Sequence, residues 1–201
     1  MDSLDSVEII VFEDEAALEA WMAEHYERES GVWLKIAKKG SGVASVTITQ
    51  ALDVALCYGW IDGQRKSFDA TYYLQKYTPR RPRSLWSQVN IRKVEALDAA
   101  GRMKAPGLAA VAAAKSDGRW DAAYASQREA TVPEDLAAAL EESHAAKSAF
   151  ERLGKSARYS VVFPLMTART PATRAQRLRR AIAALEKGET GETRVTGEKP
   201  Q

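Results

Sequence analysis

Residues able to build a β-sheet are concentrated at one end of this chain. β-Branched and aromatic clusters occur at residues 7–12, 32–37, 60–69 and 71–78, whereas after Pro106 alanine dominates and strand signals nearly vanish. A sheet must therefore come from the first part and helices from the rest. This predicts an α+β fold, with a small mostly antiparallel or mixed sheet and flanking helices in the N-terminal half and a helical C-terminal half. At 201 residues and 22.1 kDa the chain can bury about 70% of its unfolded surface, enough for a core without disulfides or metals. One compact unit over residues 1–188 is expected, divided into an α+β half (1–87) and a helical half (88–188). Residues 189–201 lack an apolar anchor and are expected to form a disordered tail.

Local signals place the elements. Asp14 can cap a helix carrying Ala17, Leu18, Trp21 and Met22 at helical spacing, ending near Gly31. Lys38-Lys39-Gly40-Ser41-Gly42 reads as a flexible turn. Thr47 or Thr49 caps the next helix, whose stripe is Ile48, Leu52, Ala55 and Leu56 and whose end is Gly59. Pro79 and Pro82 stop the strands. Ser84 or Ser87 then caps a helix through Val89, Ile91, Val94 and Leu97, closed by Gly101. Further helices are expected at about residues 107–116, 133–143, 145–153 and 156–167. In the last helix Thr170 caps, Pro171 sits at the first position, and Gly188 terminates.

Composition excludes several classes. With 45% hydrophobic and 28% charged residues the chain is neither fibrous nor mostly disordered. A lone cysteine, Cys57, permits no internal disulfide, and no apolar run approaches the ~20 residues of a membrane span. The acidic start Met1-Asp2-Ser3-Leu4-Asp5 is unlike a secretory signal, so a cytoplasmic location is expected. The net charge of +2 conceals segregation: residues 1–31 carry −9, residues 60–104 carry +6, residues 105–146 carry −4 and residues 147–181 carry +8. Two readings stand side by side. Acidic and basic elements neutralise each other within the fold, or the basic blocks serve an anionic partner.

Candidate chemistry is sparse. Cys57 falls in the last turn of its helix with Asp53 one turn back, and both features disfavour a thiolate. His25 and His144 offer no metal-ligand spacing, so no metal is expected, and no motif calls for a cofactor. Gly40-Ser41-Gly42 lacks the remainder of a phosphate-loop or dinucleotide motif. The strongest segment is Tyr77-Thr78-Pro79-Arg80-Arg81-Pro82-Arg83-Ser84-Leu85-Trp86-Ser87, where arginines precede a helix start and aromatic residues lie nearby. Guanidinium forks and free first-turn amides attract anions, and Trp60, Tyr72, Tyr77 and Trp86 offer stacking faces for a nucleotide or single-stranded nucleic acid. The competing reading makes Arg80, Arg81 and Arg83 surface salt-bridge partners of the acidic first helix and the aromatics core residues. Arg174, Arg177 and Arg180 form a weaker basic face on the last helix.

The run Gly31-Val32-Trp33-Leu34, then Ala51-Leu52-Asp53-Val54-Ala55-Leu56-Cys57-Tyr58-Gly59-Trp60-Ile61-Asp62-Gly63-Gln64, then Tyr77-Thr78-Pro79-Arg80-Arg81 and Ser84-Leu85-Trp86-Ser87 with Asn90, resembles the YdeI/OmpD-associated, or bacteriocin-protection (OmdA-type), family. The resemblance continues through Gly101-Arg102-Met103 and Gly118-Arg119-Trp120 into the arginine-rich final helix. It implies association with resistance to antimicrobial peptides or bacteriocins and with an outer-membrane porin, and it implies no reaction or cofactor. The missing export signal argues against direct contact with a porin. The leading expectation is a binding protein for an anionic small molecule or nucleic acid, using Trp60, Asp62, Gln64, Lys66, Arg80, Arg81, Ser84, Trp86, Ser87 and Asn90. The alternatives are an enzyme with Asp62, Asp69 and Lys66 as acid/base groups in the same cleft, and a protein-interaction module using the basic last helix.

Overall fold

The computed structural model describes residues 3–189. The tail expected over 189–201 therefore lies, apart from Glu189, outside the described residues. The fold is α+β, and it divides into two compact units, Met1–Ala123 and Tyr124–Gln201.

The first unit carries the whole sheet. Its strands are β1 (Ser3–Leu4), β2 (Val7–Ile10), β3 (Val32–Ala37), β4 (Trp60–Ser67) and β5 (Tyr72–Pro79), and its helices are α1 (Glu15–His25), α2 (Ile48–Cys57), α3 (Gln88–Ala99) and α4 (Ala105–Ser116). The sheet order is β1-β2-β3-β5-β4. Only β2 and β3 run parallel, joined by the α1 crossover; the other pairs are antiparallel. Three of the four helices start where a side-chain cap was legible: Asp14, Thr47 and Ser87 accept from the backbone amides of Ala17, Gln50 and Asn90. Thr47 and Gln50 complete a reciprocal capping box. The short β1 strand was not expected. It forms because Asp5 and Ser6 adopt positive φ and turn the chain back onto β2.

Alternation along β3 sorts the two sheet faces. Val32, Leu34 and Ile36 join Leu18, Met22, Ala51, Val54 and Ala55 in the main core under α1 and α2. Trp33 points the other way, into a small cluster with Val7 and Leu74. There the ammonium groups of Lys66 and Lys76 lie 5.2 and 5.6 Å from the Trp33 ring centroid, and their stems help to cover the indole. Helix α4 packs against the end of α2 at Gly107. A Cβ on Gly107 would come within 2.2 Å of the Cys57 carbonyl oxygen, so the position excludes larger side chains.

Much of the charge segregation is internal neutralisation. Glu15 pairs with Arg102, Glu19 with Lys104 at 2.9 Å, Glu8 with Arg28 at 2.6 Å, and Asp53 with Lys93 at 2.6 Å. The acidic first helix thus meets Arg102 and Lys104, the bases that follow α3.

The second unit is helical: α5 (Glu134–Glu142), α6 (His144–Arg152), α7 (Lys155–Met166) and α8 (Pro171–Glu186). Leu136, Leu140, Phe150, Val162, Leu165 and Leu185 fill its core. Arg174 grips Asp135 through two hydrogen bonds of 2.7 and 2.8 Å, tying α8 to α5.

Candidate functional site

Strand β4 decides which side chains can meet. Asp62 is registered with Tyr77, but Arg65, three residues later, is registered with Gln75, only two residues away, so β4 carries one extra residue in a bulge. Gln75, 2% exposed, holds the bulge: its Nε2 donates to the carbonyls of Gly63 and Gln64, and its Oε1 accepts from Arg65. The bulge reverses the alternation. Arg65 follows Gln75 to the helix-covered face, and Lys66 follows Leu74 to the opposite one.

This register corrects the expectation that Asp62, Lys66 and Asp69 surround one cleft. Asp62 shares a face with Tyr77, while Lys66 lies across the sheet, 3.0 Å from Asp5. Asp69 stands in the β4–β5 turn, where its carboxylate accepts from the amides of Thr71 and Tyr72 at 2.8 and 2.7 Å. Those bonds, Tyr72's first, hold its pKa below the ordinary carboxylate value.

The other sequence-derived residues are also dispersed. Trp60 is fully buried and its indole donates to the Tyr26 carbonyl at 2.7 Å. Trp86 is 2% exposed, and the Arg80 guanidinium is laid on its ring at 3.6 Å while donating to the Leu85 carbonyl. Arg81 is exposed. Ser87 is occupied as the α3 cap for the Asn90 amide, the carbonyl of Ser84 accepts from Arg119, and the carbonyl of Gln64 accepts from Gln75. Trp60 and Trp86 are core residues that offer no free stacking face. On α8, Arg174 is committed to Asp135 and Leu165, and Arg177 to Pro164 and Thr167. Burial pushes the Cys57 thiol up to about 11, with Glu19 and Asp53 adding to the effect against Arg102 and Lys104.

What the fold does assemble is a cavity of about 580 Å³ beneath the loop of residues 38–43. Ile36 of β3, Tyr73 of β5 and Arg65 of β4 form one side; Val46, Thr47 and Ile48, where α2 begins, form the other. Lys38, Lys39 and Arg65 line it, and no Asp or Glu does. Arg65 is held in place by Gln75 and by the Tyr73 ring, 4.8 Å from its guanidinium carbon. Lys38 donates to the Asp69 carbonyl at 2.6 Å, while Lys39 makes no ion pair among the described residues. Gly40 and Gly42 adopt φ of +85° and +74°, conformations that glycine takes without strain, and a Cβ on either would meet nothing within 4 Å. The positive end of the α2 dipole adds to the cationic wall, while the Ser45 and Thr47 hydroxyls donate to the Val46 carbonyl and to Gln50. Chemically, the arrangement can hold an anion, and it presents no acid/base pair.

Sequence reasoning passed over these residues. Two lysines before Gly-Ser-Gly, followed by a Thr-capped helix, were a usable local signal; the contribution of Arg65 and Tyr73 depended on the bulge.

Comparisons with known proteins agree with the division into two units. Residues 10–110 match the family model described as a domain of unknown function (DUF8412), and residues 129–188 match the model described as Bacteriocin-protection, YdeI or OmpD-Associated. The chain belongs to the DUF8412 family, and its residues 129–188 are similar to the YdeI/OmpD-associated family. The family motifs between Gly31 and Asn90, and the whole lining of the 580 Å³ cavity, fall in the first match; the YdeI/OmpD-associated match falls on α5 to α8. No match was found among curated proteins or among solved structures. Among the described residues no helix is long and apolar enough to cross a membrane, and no cluster of metal-ligating side chains occurs.

Proposed function

We propose that this protein binds a small anionic ligand, of the phosphate or nucleotide class, in the cavity beneath the 38–43 loop. One observation carries the reading: Lys38, Lys39 and Arg65 converge from a loop and a strand on one cavity whose lining contains no carboxylate. Three cations in a wall without a carboxylate create a positive field, and each charge-assisted hydrogen bond to an anion is stronger than a neutral one. The volume lies within the ~300–1,000 Å³ of ordinary small-molecule sites. The sequence-derived expectation of an anionic ligand is kept, and its location moves from the 80–87 segment to the 38–43 loop. The stress-resistance role in the family description is part of the same proposal: the ligand would be a small phosphorylated signal or metabolite rather than a porin.

The test is isothermal titration of the full chain with pyrophosphate, ATP and a short oligonucleotide. Saturable binding of pyrophosphate or ATP that weakens with salt, and that falls about tenfold in Arg65→Gln or Lys39→Gln, is the expected result. Binding that is indifferent to both substitutions, or no binding at all, would remove the proposal.

A further inference from the structure

The second unit contains its own cavity of about 480 Å³, independent of the site above. Arg128, from the segment before α5, and Lys155 and Arg158, from successive turns of α7, line it; again no Asp or Glu does. Phe150, Val162 and Val132 supply an apolar floor, and Val132 remains 43% exposed at the surface. Arg158 is fixed by donating to the Glu151 carbonyl and by lying 5.6 Å from the Phe150 ring centroid, so one guanidinium is anchored above that floor. Among the described residues Arg128 and Lys155 make no ion pair.

From this juxtaposition we infer that the YdeI/OmpD-associated unit binds an amphipathic organic acid, a single carboxylate on an aromatic or aliphatic body. The body lies against Phe150, Val132 and Val162, where burial of apolar surface contributes about 25 cal/mol per Å², and the carboxylate meets Lys155, Arg158 and Arg128. A small inorganic anion would leave the apolar floor wet, and a neutral apolar compound would leave the cations without a partner. The site therefore discriminates by requiring both parts in one molecule.

The experiment uses the full chain and 2-naphthoate, with 2-naphthalenemethanol as the neutral counterpart and inorganic phosphate as the apolar-free anion, read by titration calorimetry and by NMR of the aromatic ligand protons. Naphthoate should bind saturably, the alcohol at least about tenfold more weakly, and phosphate should not displace naphthoate. Lys155→Gln should weaken naphthoate about tenfold without altering the thermal melt, and Val132→Asp, at an exposed position, should weaken it comparably by placing a carboxylate at the floor. Equal binding of acid and alcohol, unchanged affinity in both variants, or absence of saturable naphthoate binding overturns the inference. Lys39→Gln and Arg65→Gln should leave naphthoate binding unchanged, so failure here and failure of the first proposal are separately visible.

Discussion

The two cavities present the same formal charge on different frameworks. In the first unit three cations from a loop and a strand stand beside Ile36, Val46, Ile48 and Tyr73 at the start of a helix; in the second, three cations from a segment and a helix stand beside Phe150, Val132 and Val162. Under the two proposals charge selects an anion at each cavity, and the apolar side chains beside the cations select the body that carries it. The origins of the two sites differ as well. Arg65 reaches the first cavity only because a β-bulge turned it, whereas Lys155 and Arg158 are three residues apart on one helix and share a face by ordinary periodicity.

The harshest way to break this contrast is Gln75→Leu. The substitution removes the bonds to Gly63, Gln64 and Arg65 and buries unpaired carbonyls, so pyrophosphate binding should fall about tenfold or more and stability by about 1–3 kcal/mol. Naphthoate binding should be untouched; calorimetry and denaturant melts report both, and retained pyrophosphate affinity would show that the bulge does not position Arg65. A gentler probe is ionic strength. Raising salt from about 50 mM to about 0.5 M should weaken pyrophosphate about tenfold and naphthoate only about threefold, because pyrophosphate carries several charges to be screened and naphthoate one.

Acid probes the tie between α5 and α8 in the second unit. Its hydrogen bonds to Arg174 hold the Asp135 carboxyl below the usual carboxylate range. A depressed native pKa contributes stability that is in place above the ordinary carboxylate value and is lost as pH falls through the native one. The pair is about one-third exposed, so solvent screening limits its worth to about 1 kcal/mol. Asp135→Asn should therefore lower the melting of the second unit at neutral pH and flatten its acid dependence, measured by circular dichroism from neutral pH downward. The smallest effect concerns the segment that looked most promising in the sequence. Arg81→Gln with Arg83→Gln should leave pyrophosphate affinity within about twofold of the parent, since neither residue lines the first cavity; a larger loss would return the anion site to the 80–87 segment.

Local rules were legible along the chain. Asp14, Thr47, Ser87 and Thr170 cap helices where a hydroxyl or carboxylate precedes an apolar periodic run, and β3 occupies the predicted residues 32–37 because that run is short, β-branched and bounded by Gly31 and a lysine-glycine turn. Cys57 is buried and poorly ionised, as its position at a helix end beside Asp53 implied. The aromatic segment misled for a definite reason: residue type announces that tryptophan can stack, and burial of Trp60 and Trp86 decides that they do not face a ligand. Likewise Arg80 is spent on Trp86, a contact across six residues that no periodicity announces.

By itself the sequence determined that a sheet forms early and helices follow, where the helices begin, and that cations outnumber acids in two blocks, because each of these depends on neighbours within a turn or a strand. Only the tertiary structure decided which cations face a cavity. One additional residue in β4 sends Arg65 beneath the 38–43 loop and Lys66 to the far side of the sheet, and a strand's facing is settled by its hydrogen-bond register with β5, which is a property of two segments and not of either alone.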